Sequence, residues 1–339
     1  MLIPSSEHPA IRSLRRSLPP LLVAMALAGC NGADNPLEPA DGSTAPAGEP
    51  LATAGEAVGP DFTLAPATGR IVFQSYRSGS GDIYRMDPLG TSLVRLTTSV
   101  DEERVPAWSY DNKRIALVRP RLDANNTKHD DIYIINADGS SGHWARSVPS
   151  PWHLGDPSWS PDGSRLLVTV TVSYTWYLGW MDLATGQIGL FNGGGFNYPG
   201  LQASYDRTGQ KIVYIGAGSK TVEQIKADGT GHKVLVSSTT YVRRPAYSPD
   251  GKKVAYSRLI STGDEELSVR NFVDGTTRRM TTSAGDDSSP TWSPDGSRIA
   301  FTSRRSGLLQ IWTMNAATGG SLTRITHTAN AELYPQWSH

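Results

Sequence analysis

Cysteine is almost absent. Cys30 is the single one in 339 residues, so neither an intrachain disulfide framework nor a cysteine-clustered zinc or iron–sulfur site can form. An excess of one charge is missing too: 32 Lys+Arg stand against 32 Asp+Glu. A function that rests on bulk attraction to nucleic acid or to an anionic membrane is therefore excluded. The apolar run at residues 21–28 is far too short to cross a bilayer, and no stretch shows a convincing helical period. What is present is 38% hydrophobic and 8% aromatic residues with 34 Gly and 23 Pro. That describes a turn-rich chain with enough apolar side chains for a large core, which excludes wholesale disorder.

The short apolar run has the neighbours of an export signal. Arg12, Arg15 and Arg16 precede it, and it ends in Leu27-Ala28-Gly29-Cys30. This end resembles the bacterial lipobox, in which small residues admit the peptidase and the cysteine becomes the lipidated new N-terminus. The resemblance implies lipidation of Cys30, with acyl chains contributing about 0.8 kcal/mol per buried methylene to anchoring. Membrane contact is then expected through the lipid alone. Asn31 stands where an Asp would resemble the inner-membrane retention signal, so an outer-membrane address is expected where the organism has two membranes. Residues 31–65 carry six acids (Asp34, Glu38, Asp41, Glu49, Glu56, Asp61) and no Lys or Arg among Pro, Ala, Gly and Thr. They read as a flexible tether with a span on the order of 30–35 Å.

Everything further along repeats. Pro106-Ala107-Trp108-Ser109, Pro157-Ser158-Trp159-Ser160, Pro245-Ala246-Tyr247-Ser248, Pro290-Thr291-Trp292-Ser293 and Pro335-Gln336-Trp337-Ser338 share one pattern, with a degenerate copy at residues 202–206. With the aromatic slot at 108, 159, 203, 247, 292 and 337, the intervals are 51, 44, 44, 45 and 45. A Ser-Pro-Asp-Gly turn leads from this unit into an apolar run such as Arg298-Ile299-Ala300-Phe301. A run such as Asp131-Ile132-Tyr133-Ile134-Ile135 follows, then a glycine turn and a fourth short run. Four strands in about 45 residues make a propeller blade, apolar on both pleat faces because it lies between two others. The expected fold is all-β: a six-bladed β-propeller with four antiparallel strands per blade. The first unit, residues 69–97, lacks an inner strand and the last residues supply one, so the two pieces should complete one blade.

These units resemble the TolB-type, WD-repeat-like propeller repeat. The resemblance covers residues 66–339, with Gly179 and Ala203 departing from its Tyr and Trp slots. TolB itself has a globular domain ahead of its propeller, and here the tether is expected in that place. The domain plan is a lipoprotein signal peptide at 1–29, Cys30 and its acidic tether through 65, and the propeller at 66–339.

The Trp, Pro, Asp-Gly and Ile-Tyr positions that recur in most blades are scaffold, so candidates for function are the residues that do not recur. The loops entering each inner strand and the hairpins between second and third strands should share one face. There the sequence offers Asp101, Glu102, Glu103 and Arg104, with Asp130 and Asp156. The candidate ligand face centres on Trp152, His153, Tyr174, Trp176, Asn197 with Tyr198, Arg243, Arg244, Asp286, Asp287, Asn330 and Glu332. Exposed Trp and Tyr suit a peptide or a sugar ring at low entropic cost. An alternative is a metal-dependent polysaccharide lyase or hydrolase in which His129, His153 and His327 hold a divalent cation; the three stand blades apart.

No Gly-x-Ser-x-Gly elbow occurs, and the chain ends where the resembling prolyl-peptidase family would continue into its hydrolase domain. Ser-Pro-Asp-Gly differs from the sialidase box, and residues 216–221 imitate a phosphate loop without its Gly-Lys pair. The expectation is an exported binding module without cofactor, a monomer that takes an envelope protein, peptide or glycan and no nucleic acid. Residues 66–339 hold 29 Lys+Arg and 25 Asp+Glu, a mild excess of about four positive charges that favours an acidic partner slightly.

Overall fold

Alternation decides which way each strand faces. In Ile71-Val72-Phe73, Ile71 and Phe73 pack with Ala300, Ile311 and Trp337, whereas Val72 packs on the other side with Trp108, Ile115 and Leu117. A strand that is apolar on both faces is stable only between two further sheets. A computed structural model of the chain describes residues 68–123, 125–146, 152–193, 196–197 and 200–339, and it meets that demand with a closed ring. Cys30, the tether and Tyr198 lie outside the described residues.

Six four-stranded antiparallel sheets follow one another. Blade one is Glu332–Trp337, Ile71–Ser78, Ser80–Met86 and Val94–Arg95 from the channel outward. Blade two is Arg104–Trp108, Arg114–Leu122, Lys128–Asn136 and His143–Trp144, and blade three is His153–Trp159, Arg165–Val172, Thr175–Asp182 and Ile188–Leu190. Blade four is Gly200–Tyr205, Lys211–Gly216, Thr221–Lys226 and Lys233–Ser237; blade five is Val242–Tyr247, Lys253–Ser261, Asp264–Asn271 and Thr277–Arg279. Asp287–Trp292, Arg298–Ser303, Gln310–Asn315 and Thr323–Arg324 make blade six. A small ladder, Asn192–Gly193 with Phe196–Asn197, sits between blades three and four. The stretch that imitates a phosphate loop is a single 3-10 turn, Ala217–Ser219, inside a hairpin of blade four.

The repeated motif holds blade to blade. Trp159 Nε1 donates to the Ala107 carbonyl at 3.0 Å and Trp292 Nε1 to the Ala246 carbonyl at 3.1 Å, each reaching into the preceding blade. The motif serine closes its own hairpin: Ser293 Oγ accepts from the Arg298 N–H at 2.9 Å and donates to Asp295 at 2.5 Å. In blade one the same bond joins residues 268 apart, because Ser338 Oγ accepts from the Arg70 N–H at 2.9 Å. The Ser338 N–H donates to the Arg70 carbonyl at 2.8 Å, so the ring closure rebuilds a turn that the other blades make covalently. The last strand completes the first blade, as the two incomplete pieces required.

One slot moves. The aromatic position expected at Ala203 is filled by Tyr205, which pairs with Ile212 just as Trp108 pairs with Ile115 and Trp292 with Ile299. Asp206 replaces the serine, its carboxylate accepting from the Lys211 N–H at 2.9 Å. Any short side-chain acceptor can close this turn, so the structure tolerates a substitution that hides the motif.

Glycine sets how closely blades approach at the turn after the third strand. A Cβ on Gly90 would lie 2.5 Å from the Ile325 carbonyl oxygen of blade six, and one on Gly139 would lie 2.6 Å from that of Leu96 in blade one. Both residues also have positive φ, 81° and 90°. Gly139→Ala should therefore lower stability by about 1–3 kcal/mol, read as a fall in the thermal midpoint; an unchanged midpoint contradicts this packing.

Candidate functional site

Each inner strand is broken once, at the same place. Val105, Asp156, Gln202, Arg244, Ser289 and Tyr334 all have φ between 46° and 56°, and the ladder slips at each of them. In five blades the next residue is proline, which has no N–H for the ladder and so favours a bulge there. The bulge side chains line the central channel. The scaffold repeats, but these six residues are all different in size or charge.

Arg244 reaches across them. Its guanidinium lies 3.3 Å from the Asp156 carboxylate, two blades away, and 4.2 Å over the ring of Tyr334, two blades away in the other direction. The Arg244 N–H donates to Gln202 Oε1 at 2.9 Å, and Thr169 Oγ1 donates to Asp156 at 3.1 Å. Stacking and ion pairing together fix a side chain that is otherwise rich in rotamers.

From this crossbar a cavity of about 170 Å³ extends along the channel toward the Ser-Pro-Asp-Gly turns, lined by Tyr110, Arg207, Pro249, Pro294 and His339. His339 stacks on Tyr110 with ring centroids 3.7 Å apart, and Asn112 bonds both its N–H, at 3.0 Å, and its carbonyl, at 2.7 Å. Burial and then the charge of Arg207 push His339 down to about 4, so the imidazole is neutral near pH 7. Arg207 makes no ion pair among the described residues; Nη1 meets only the Pro294 carbonyl, at 3.5 Å. Burial also pushes the Tyr205 phenol up to about 12. The cavity thus offers guanidinium donors, phenols, proline rings and one side-chain carboxylate, groups suited to recognition.

The residues expected on the loop face are placed unevenly. Arg104, Asp130 and His153 meet at the rim of blades two and three, with Arg104 2.6 Å from Asp130 and the Asp130 N–H donating to His153 Nδ1 at 3.2 Å. Asp101 pairs with Lys128 at 3.1 Å, and Glu102 accepts from Tyr76 and Gln74. Tyr174 is 94% and Trp176 52% exposed at the tip of a blade-three hairpin, whereas Trp152 is half-buried against the core. Arg243 pairs with Glu265 at 3.2 Å and Asp286 with Arg304 at 3.9 Å. Glu103, Asp287 and Glu332 are fully buried, not on the open rim, and each pairs with an arginine: Arg119 and Arg77 on the adjoining strand, and Arg305 just past its end. Burial raises the carboxyls of Glu103 and Glu332.

His129 is buried in blade two, His153 is half-exposed in blade three, and His327 is exposed between blades six and one. Among the described residues no three His, Cys, Asp or Glu are placed to hold one metal ion. Asn197 lies in the small ladder. Missed from sequence were Arg207, Tyr110 and His339. The signal available was that each stands in the proline slot of the Ser-Pro-Asp-Gly turn, where these three blades depart from the repeat.

Residues 197–339 match the TolB beta propeller domain family. Among solved structures, TolB of Acinetobacter baumannii is 22% identical with a TM-score of 0.68, over 81% of this chain and 67% of that one. A TolB of Agrobacterium tumefaciens described as putative is 19% identical with a TM-score of 0.60, over 76% and 89%. The uncharacterized peptidase YuxL of Bacillus subtilis is 24% identical over 210 residues, 61% of this chain and 29% of that protein; this chain spans under a third of it. The described part of the chain is a six-bladed β-propeller, similar in fold to these TolB structures.

NMR titration should give the half-buried His339 imidazole a midpoint near 4, and Arg207→Gln should move that midpoint upward. The stack's stabilisation is then present above pH 6.5 and lost as pH falls toward 4. A midpoint at the ordinary value near 6.5 contradicts it.

Proposed function

We propose that this protein is an exported binding module, held at the cell envelope by a lipidated Cys30 and its tether, whose channel receives a segment of an envelope protein. The observation that carries the reading is the change of character along the inner strands. Aromatic, serine and glycine positions recur from blade to blade, while the bulge residue differs in every blade and Tyr110, Arg207 and His339 replace the turn proline in three of them, all lining the cavity. Variation on a constant scaffold is where a propeller places its specificity. The tether and the outer-membrane address complete this reading.

Photo-cross-linkers at Arg207 and at Val273, which is 75% exposed on an outer turn, test the site in cells. A single envelope partner should cross-link from position 207 and not from 273, and palmitate label should vanish in Cys30→Ser. Cross-linking from Tyr174 in place of 207 would move the site to the opposite rim, and label persisting in Cys30→Ser would end the anchor.

A further inference from the structure

We infer that the channel's occupant is an acidic peptide, an extended segment whose carboxylate side chain is received by Arg244 at the inner end and passes Arg207 on the way in. The inference rests on the channel reading and goes beyond it by naming the chemistry of the ligand.

Several arginines of this propeller serve the scaffold. Arg77, Arg119, Arg279 and Arg305 each neutralise a fully buried carboxylate of the scaffold, at Glu332, Glu103, Glu266 and Asp287. Arg95 and Asp82 repeat the device. Arg207 and Arg244 stand outside it and are the two cations that line the cavity. Arg207 has no ion pair among the described residues. Arg244 has five N–H donors, and its side chain meets a single carboxylate oxygen there, Asp156 Oδ1, at 3.3 Å. Tyr334 covers one face of the guanidinium plane, which leaves the edge donors to an acceptor entering along the channel. Among the lining side chains, with the His339 imidazole neutral, two guanidiniums, Arg207 and Arg244, face a single carboxylate, Asp156.

Size and shape separate a peptide from a free acid. The cavity, about 170 Å³, is below the ~300–1,000 Å³ of pockets that enclose a small molecule. It fits a side chain that projects from something longer. Gln202, bonded to the Arg244 N–H, precedes Arg207 by five residues, the last two past the end of the strand Gly200–Tyr205, so at most roughly 17 Å of chain separates the two arginine levels. That is the reach of a few residues of extended chain, and the prolines and the Tyr110–His339 stack give it flat walls. An arginine fixed beforehand by stacking and an ion pair gives up little freedom on accepting a carboxylate.

The test uses the full chain with a capped octaglutamate peptide, its octaglutamine counterpart and a galacturonate oligomer. Octaglutamate should bind saturably at one site and shift the Arg244 and Arg207 Nε–Hε NMR signals, at least tenfold more tightly than octaglutamine. Arg244→Gln should weaken it tenfold or more, and Arg207→Gln, on the exposed mouth, severalfold with unchanged thermal unfolding. If Arg244→Gln fails to fold, Arg244→Lys keeps the charge, loses the fork, and should still weaken binding.

Equal binding of octaglutamine, octaglutamate binding that ignores both substitutions, or binding of the galacturonate oligomer alone would overturn the inference. A partner that cross-links from position 207 with equal yield in Arg244→Gln would overturn it as well while leaving the channel reading intact.

Discussion

The strand Ile71–Ser78 has neighbours from opposite ends of the described chain: Ser80–Met86 on one side and Glu332–Trp337 on the other. The rest of the ring depends on that second pairing. Without it blade one would expose an unpaired inner edge, and blade six would lose the apolar face that Ile71, Phe73 and Trp337 supply. Joining points 268 residues apart costs on the order of 5 kcal/mol in chain entropy, since the cost grows only with the logarithm of length. Burying side chains such as Trp337 and Ile71 returns about 1.5–3 kcal/mol each. A few such contacts offset the closure, and the Ser338–Arg70 bonds set its register.

Closure also explains why the inner strands are free to vary. Once the outer strands, the Trp-to-carbonyl bonds and the buried acid–arginine pairs fix the blades, the bulge residue of each inner strand has no packing duty toward its own sheet. Six different residues can then face one axis. Arg244 uses that freedom to span three blades, which no residue of a covalently local motif could do.

Much of the architecture was legible because it repeats. The Pro-x-aromatic-Ser unit marks the inner strand, the Ser-Pro-Asp-Gly turn marks the hairpin, and the incomplete first and last units announce their pairing. Ala203 was misplaced because Tyr205-Asp206 performs the work of Trp-Ser through the same bonds with different letters. The candidate site was far less legible. Glu332 and Asp287 look like rim acids in sequence, yet an arginine on or just past the adjoining strand, Arg77 and Arg305, draws each inward. Tyr110, Arg207 and His339 come from three blades and meet only when the ring is closed, so no local spacing connects them. The bulge is visible in sequence only as a proline, which is also a turn signal.

The last strand should close the ring as firmly as any covalent hairpin closes its own blade. Native-state hydrogen exchange on the full chain tests it most directly. The amides of Glu332–Trp337 should exchange as slowly as those of Asp287–Trp292, the inner strand of blade six, both opening only with global unfolding. Exchange of Glu332–Trp337 a hundredfold or more faster, with the other inner strands still protected, would contradict the account.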